Sequence, residues 1–253
     1  MSNFIFKSRK KMELFHYPLQ QKNLSIIIPA FNEENRIALT IKEVYEAACH
    51  SLDNFEIIVI DDGSSDATFL QAKSAIIGFE SVAQIVRHKI NCGVGAAFQF
   101  GLENARFPQL CLIPGDNAFH VSGIKLLFSK CGTSPLIISY RQNMEARTAL
   151  RHFLSRMATF ALRMMTGFKI KDAHSLYLFP VAETRLLNVK TSGYGYHIEI
   201  LSRLLSRLKI FEEVPVTLNP KPDASSGVMK FKTLILLGAT ISKLFGLRLI
   251  GIL

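Results

Sequence analysis

A mostly parallel α/β sheet with helices on both faces is the fold this sequence predicts, on three observations. Apolar runs rich in β-branched residues alternate with longer stretches of helical spacing. Those runs are short and have no polar alternation, the pattern of strands buried on both faces. Three of the first four strands also run straight into an acidic or Asn-bearing turn: Asn32-Glu33, Asp61-Asp62 and Gly115-Asp116. In open parallel sheets ligands bind at the carboxyl ends of strands, so these residues converge on one edge.

Residues 24–31, LSIIIPAF, read as the first strand. A helix follows from about Glu33 to His50, with Ile37, Ile41, Val44 and Ala48 at helical spacing. Phe55–Ile60 is the second strand, and Ser65 or Asp66 caps a helix reaching about Gly78. Val82–Arg87, a helix over Gly93–Arg106 and Leu110–Ile113 continue the alternation. In the second half, Leu136–Tyr140 is a strand and a long helix runs from about Glu145 to Met165. Its Leu150, Phe153, Leu154, Met157, Phe160, Ala161 and Met164 share the spacing of one apolar face, with Arg147, Arg151, Arg156 and Arg163 elsewhere. A helix over about Tyr196–Leu208 leads into a strand, Ile210–Leu218.

With 49% hydrophobic residues, 20% charged and 19 Phe in 253 positions, the composition is that of a folded domain. The chain divides into a basic extension (1–22), one large domain (23–230) and an apolar segment (231–253) expected to be helical. Thirty Lys and Arg against twenty Asp and Glu give a net charge of +10. That excess attracts polyanions, phosphorylated small molecules or an anionic membrane. No helix-turn-helix or aromatic-basic pattern accompanies it, so nucleic acid is not an expected partner. Cys49, Cys92, Cys111 and Cys131 lack zinc spacing and read as reduced thiols of a cytosolic protein. Neither a secretory signal nor a membrane span is expected.

The chemistry sits at the strand ends. Adjacent carboxylates such as Asp61 and Asp62 repel each other unless a cation or shared donors lie between them; a helix-capping cluster is the alternative reading. Asn91-Cys92-Gly93-Val94-Gly95-Ala96-Ala97 opens a helix with small residues, which lets backbone approach a ligand closely. Asp116 suits Mg²⁺, which takes one or two carboxylates together with substrate phosphates.

Four strings in order, IIIPAFNEE, IIVIDDGSSDAT, NCGVGAAFQFG and PGDN, resemble family 2 glycosyltransferases. The nearest subgroup is the polyprenyl-phosphate sugar transferases of the dolichyl-phosphate mannose synthase type. The resemblance spans about Leu24 to Lys230 and implies a GT-A fold with a nucleoside-diphosphate-sugar donor and Mg²⁺ or Mn²⁺. It places Pro29, Ala30, Asn32 and Glu33 around the nucleobase, Asp61 on base or ribose and Asp62 on the ribose side. It places Gly93 and Gly115 on the donor, and Asp116 on the metal. The sequence departs from the family where an Asp-x-Asp pair is usual: Pro114 replaces the first Asp, and Ala118 stands where a Gln often follows.

On the acceptor side the resemblance implies Ser139, Arg141, Arg147 and Arg151 near the acceptor phosphate and leaving group. Lys230 would serve the diphosphate, and Asp172 and Glu199 join Asp116 and Arg141 as catalytic candidates. Arg grips phosphate bidentately, whereas a hydroxyl acceptor would require Asp172 or Glu199 as a base. The implied reaction is inverting hexosyl transfer from a UDP- or GDP-sugar to a polyprenyl phosphate. A glycan hydroxyl acceptor, or a donor-binding relative weakened by Pro114, are the alternatives. Lys232 and Lys243 lie three helical turns apart on one face of the apolar tail. This fits an in-plane helix on the inner face of the cytoplasmic membrane.

Overall fold

A computed structural model describes residues 21–143, 149–187, 189 and 195–220, without the side chains of 149–154. Seven strands form one sheet: β1 (Asn23–Ala30), β2 (Asn54–Asp61), β3 (Ala83–Arg87), β4 (Gln109–Leu112), β5 (Ile137–Arg141), β6 (Tyr177–Pro180) and β7 (Glu212–Val216). Their order is β3-β2-β1-β4-β6-β5-β7. The β1, β2, β3 and β4 pairings are parallel, as is β5 with β7, while β6 runs antiparallel between β4 and β5. The predicted mostly parallel α/β fold is therefore observed.

Helices α1 (Ile37–Ser51), α2 (Thr68–Ala75) and α4 (Val121–Ser129) pack on one face of the sheet. The other face carries α3 (Val94–Asn104), α5 (Ala149–Thr166), α6 (Val181–Leu186) and α7 (Tyr196–Leu208). Successive strand residues serve opposite faces. Ile26, Ile28, Ile57 and Val59 bury against the first helix layer; Ile27, Ile58 and Ile60 bury against the second. Since both faces are covered, the central strands read as unbroken apolar runs.

Three elements escape sequence reading. Helix α4 buries Ile124, Leu127 and Phe128 and starts at His120, whose ring accepts from Ser122 N. Strand β6 is only four residues, YLFP, and α6 six. Too short for any period to show, both are defined by the sheet they join. Helix α1 begins later than expected because Glu33–Arg36 forms a separate turn, with Arg36 N donating to Glu33 O.

The face of α5 is a correction. Its apolar spacing predicts that Met157, Phe160 and Met164 lie inward, yet these three are 50%, 58% and 54% exposed. The buried side carries Ser155, Ala158, Thr159, Leu162 and Met165 instead. Two hydroxyls turn inward because partners wait there: Arg141 Nη2 donates to Ser155 Oγ (2.8 Å), and Ala173 N to Thr159 Oγ1 (3.1 Å). Among the described residues no helix is long and apolar enough to cross a membrane. The 1–22 extension (save 21–22), Arg147, Lys230, the 231–253 segment and the side chain of Arg151 lie outside the described residues.

Candidate functional site

The β1 and β2 register pairs Ala30 with Asp61, so the turns after both strands begin at one level. Hydrogen bonds then join them. Asp62 N donates to Ala30 O (2.8 Å), Asn32 N to Ser64 Oγ (3.0 Å), Ser65 N to Asn32 Oδ1 (3.0 Å) and Glu33 N to Thr68 Oγ1 (2.7 Å). Asn32 adopts φ 55, a left-handed conformation that Asn tolerates better than most residues. Two glycines let neighbouring turns close in. A Cβ on Gly63 (φ +74) would lie 2.6 Å from the Ile90 carbonyl carbon, and one on Gly115 would meet Pro29 O, the Ala30 Cβ and Ile37 Cδ1 at 3.0 Å.

The two adjacent carboxylates escape mutual repulsion by facing different partners. Asp61 is fully buried: Oδ1 accepts from Ser64 N (3.0 Å), while Arg87 Nε forms an ion pair 2.9 Å from Oδ2, which accepts no hydrogen bond. Arg87 also donates to Ser64 O (2.8 Å) and stands 5.1 Å over the Phe69 ring. Asp62 holds the next loop. Its Oδ1 accepts from Cys92 N (3.0 Å) and bonds His88 Nδ1 (2.7 Å), and Oδ2 accepts from Gly93 N (2.7 Å). Gly93 takes φ 87 at the threshold of α3. This carboxylate thus sets the height of the small-residue loop.

Asp116 follows β4, half-buried, with Oδ1 accepting from Ala118 N (3.2 Å). Gly115 N donates to Pro29 O (2.9 Å) and Gly115 O accepts from Thr40 (3.0 Å), which tie this turn to β1 and α1. Pro29, Ala30, Asn32, Glu33, Asp61, Asp62, Gly93, Gly115 and Asp116 thus lie in the strand ends and following turns along one edge of the parallel strands. Sequence reading overlooked Arg87 and His88, although the first ends β3, the second directly follows it, and both obey the same strand-end rule. Ligand-type side chains also meet at Asp62, His88 and Cys92, whose donor atoms lie within 4.8 Å of one another. Nitrogen and sulfur donors suit zinc-like ions rather than Mg²⁺ or Mn²⁺, so this trio is not the oxygen site the sequence anticipates.

The acceptor-side candidates form a second cluster. Arg141 and Asp172 are buried in a bidentate pair, Nε to Oδ2 at 2.6 Å and Nη2 to Oδ1 at 2.8 Å. Burial alone would raise the Asp172 carboxyl, but the hydrogen bonds and charge of Arg141 outweigh it and hold the group below the usual carboxylate range. Ser139 is fully buried, accepting from Leu176 N and bonding Ser175 Oγ. Glu199 is buried on α7 and binds Arg203 Nη2 at 2.6 Å. Beside the Arg141–Asp172 pair lie His197 and Tyr177, which sequence reading missed. Burial drives the imidazole well below its ordinary value and the phenol well above, so both stay neutral near pH 7. Their Nε2 and OH, together with Arg141 Nη1, are buried without a hydrogen-bond partner.

An open α/β sheet with a sewn cluster of acidic and Gly-bearing turns at its carboxyl edge is the architecture in which α/β proteins place a ligand site. More narrowly, the chain belongs to glycosyl transferase family 2, whose family model matches residues 25–175. It is 31% identical over 158 residues to the dodecaprenyl-phosphate galacturonate synthase of Rhizobium johnstonii, covering 61% of this chain and 46% of that protein. It is 30% identical over 159 residues to an undecaprenyl-phosphate 4-deoxy-4-formamido-L-arabinose transferase of Pseudomonas fluorescens, covering 62% and 45%. The chain thus spans under half the length of these relatives. Its fold is similar to glucosyl-3-phosphoglycerate synthase from Mycobacterium tuberculosis with UDP, TM-score 0.66 at 20% identity, covering 89% of this chain and 82% of that one. The same enzyme with Mn²⁺, UDP and glucosyl-3-phosphoglycerate matches at TM-score 0.61 and 20% identity, covering 92% and 80%.

Proposed function

We propose that this protein transfers a hexose, with inversion, from a nucleoside-diphosphate sugar to a polyprenyl phosphate at the membrane surface. The proposal is carried by the sewn strand-end cluster of this family 2 chain, taken with its similarity to relatives named for polyprenyl-phosphate sugar transfer. The donor lies along Pro29, Ala30, Asn32, Glu33, Asp61, Asp62, Gly93 and Gly115. Asp116 would hold Mg²⁺ or Mn²⁺, one carboxylate beside substrate phosphates being an arrangement Mg²⁺ accepts. The ion supplies charge stabilisation for the departing nucleoside diphosphate.

The acceptor side favours a phosphate over a hydroxyl. A hydroxyl requires a base, and the two candidates are already committed: Asp172 to Arg141, Glu199 to Arg203. A carboxylate held below its usual range by Arg141 is a weak base. A phosphate oxygen is anionic at pH 7 and needs only alignment, for which Arg141, Ser139, Arg147, Arg151 and Lys230 are the proposed contacts. The domain is assigned to 23–230, and the protein to the inner face of the cytoplasmic membrane as a peripheral protein.

The test is incubation of the full chain with radiolabelled UDP- and GDP-sugars and undecaprenyl phosphate, followed by solvent extraction. Label in the lipid phase is the expected result. Label confined to a water-soluble glycan would refute the lipid acceptor.

A further inference from the structure

We infer that the outer face of α5 is a docking surface for an anionic lipid bilayer. This deepens the reading above, which gives the protein a reason to meet a membrane, but the geometry belongs to α5 alone. Met157, Phe160 and Met164 recur at three- and four-residue spacing, and each is at least half exposed. Elsewhere in the described residues, large exposed apolar side chains fall singly along the chain or, as with Phe31, within the donor turns. A helix normally turns such a stripe inward; here Ser155 and Thr159 take the inward positions.

Charge selects the occupant. Exposed Arg156 and Arg163 lie on α5 beside the stripe, and Lys169 is exposed just past the helix end. From residue 146 to residue 171 the sequence has no Asp or Glu and six Lys or Arg. A second copy docked face to face would set these cations against one another with no acid to neutralise them. The apolar 231–253 segment fares no better as a cover, since it also lacks Asp and Glu and carries Lys232, Lys243 and Arg248. An anionic bilayer supplies both complements, acyl chain for the stripe and lipid phosphate for the flanking cations. On the opposite side of the same helix, Ser155 holds Arg141. A bilayer seated on α5 therefore lies one helix thickness from the acceptor-side cluster.

The chain contains no Trp, so a single introduced indole reports its own position. We would compare Phe160→Trp with Ile77→Trp, an exposed site after α2, in the full chain. Vesicles would be phosphatidylcholine with or without phosphatidylglycerol. The expected result is a blue shift, with quenching by brominated lipid, for Phe160→Trp alone and only with phosphatidylglycerol present. Arg156→Gln and Lys169→Gln should each lower the vesicle partition coefficient about fivefold. Three results would overturn the inference: sedimentation with vesicles without a shift in Phe160→Trp, an equal shift in both reporters, or an emission already blue before vesicles are added. The reporter involves no turnover. Failure here leaves the lipid-product assay standing, and failure of that assay leaves this one readable.

Discussion

The proposed donor edge and the proposed acceptor cluster are built from different mixtures of bond. At the donor edge, Asp62 is held mainly by backbone, Cys92 N and Gly93 N, and Asp61 by Ser64 N together with the Arg87 ion pair. On the acceptor side Asp172 takes two side-chain bonds from Arg141, which Ser155 also holds, and its remaining donors are the backbone N–H groups of His174 and Arg141. Backbone donors cannot be mutated away and keep the loop's shape under substitution. A buried side-chain pair is all or nothing. The donor edge should therefore degrade gradually and the acceptor cluster abruptly.

The sharpest way to break that contrast is Asp172→Asn or Arg141→Ala. Either leaves one member of a buried pair uncompensated, which costs about 3–5 kcal/mol. Denaturant unfolding should show the loss as a lower midpoint. The pH dependence carries a sign. Asp172 titrates below its unfolded value of about 4, so its contribution is complete above that pH and is lost as pH falls through the folded value. The stability gap between wild type and Asp172→Asn should accordingly narrow below about pH 4. A gap that stays constant into acid would show that the pair contributes nothing through its charge.

The same contrast governs what could be read from sequence. Asp61, Asp62 and Asp116 were visible because parallel strands carry whatever follows them to one edge. What could not be read is which partner each would take: His88 and Arg87 reach across from β3, and only the register of β2 on β3 brings them there. The acceptor cluster hides more. Arg141 and Asp172 are 31 residues apart, with α5 between them, and are brought together where β5 pairs with an antiparallel β6 too short to announce itself. On α5 periodicity finds the helix but misplaces its face. Apolar count favours Met157, Phe160 and Met164 for the interior, and tertiary partners for Ser155 and Thr159 decide otherwise.

A smaller effect is expected at Asp62→Asn. The amide keeps one oxygen for the backbone donors but loses the charge that serves Cys92 N, Gly93 N and His88 together. Charge-assisted hydrogen bonds of this kind contribute about 1.5–3 kcal/mol, and part of that survives in the amide. Unfolding should cost about 1–2 kcal/mol less. Amide exchange at Cys92 and Gly93 should quicken well before the rest of the sheet, because the loop opens locally. Uniform exchange across β1, β2 and β3 would mean the carboxylate supports the whole edge.

Asp116→Ala should have the smallest effect on the fold and the most specific one on the ligand. Beside the bond from Ala118 N to Asp116 Oδ1, its turn is fixed by contacts of its neighbours: Gly115 N on Pro29 O, Thr40 on Gly115 O, and Asn219 Nδ2 on Asn117. The apo protein should lose no more than about 1 kcal/mol, the range of a partly exposed site whose surroundings stay intact. Stabilisation by a nucleotide sugar follows its occupancy, so a thermal-shift series with and without Mn²⁺ separates metal-dependent from metal-independent binding. The Mn²⁺-dependent increment should vanish in Asp116→Ala while the metal-free shift, carried by the sewn β1 to β3 turns, persists. If the Mn²⁺ increment survives, the ion is held by groups other than Asp116, and the assignment of that carboxylate to the metal fails.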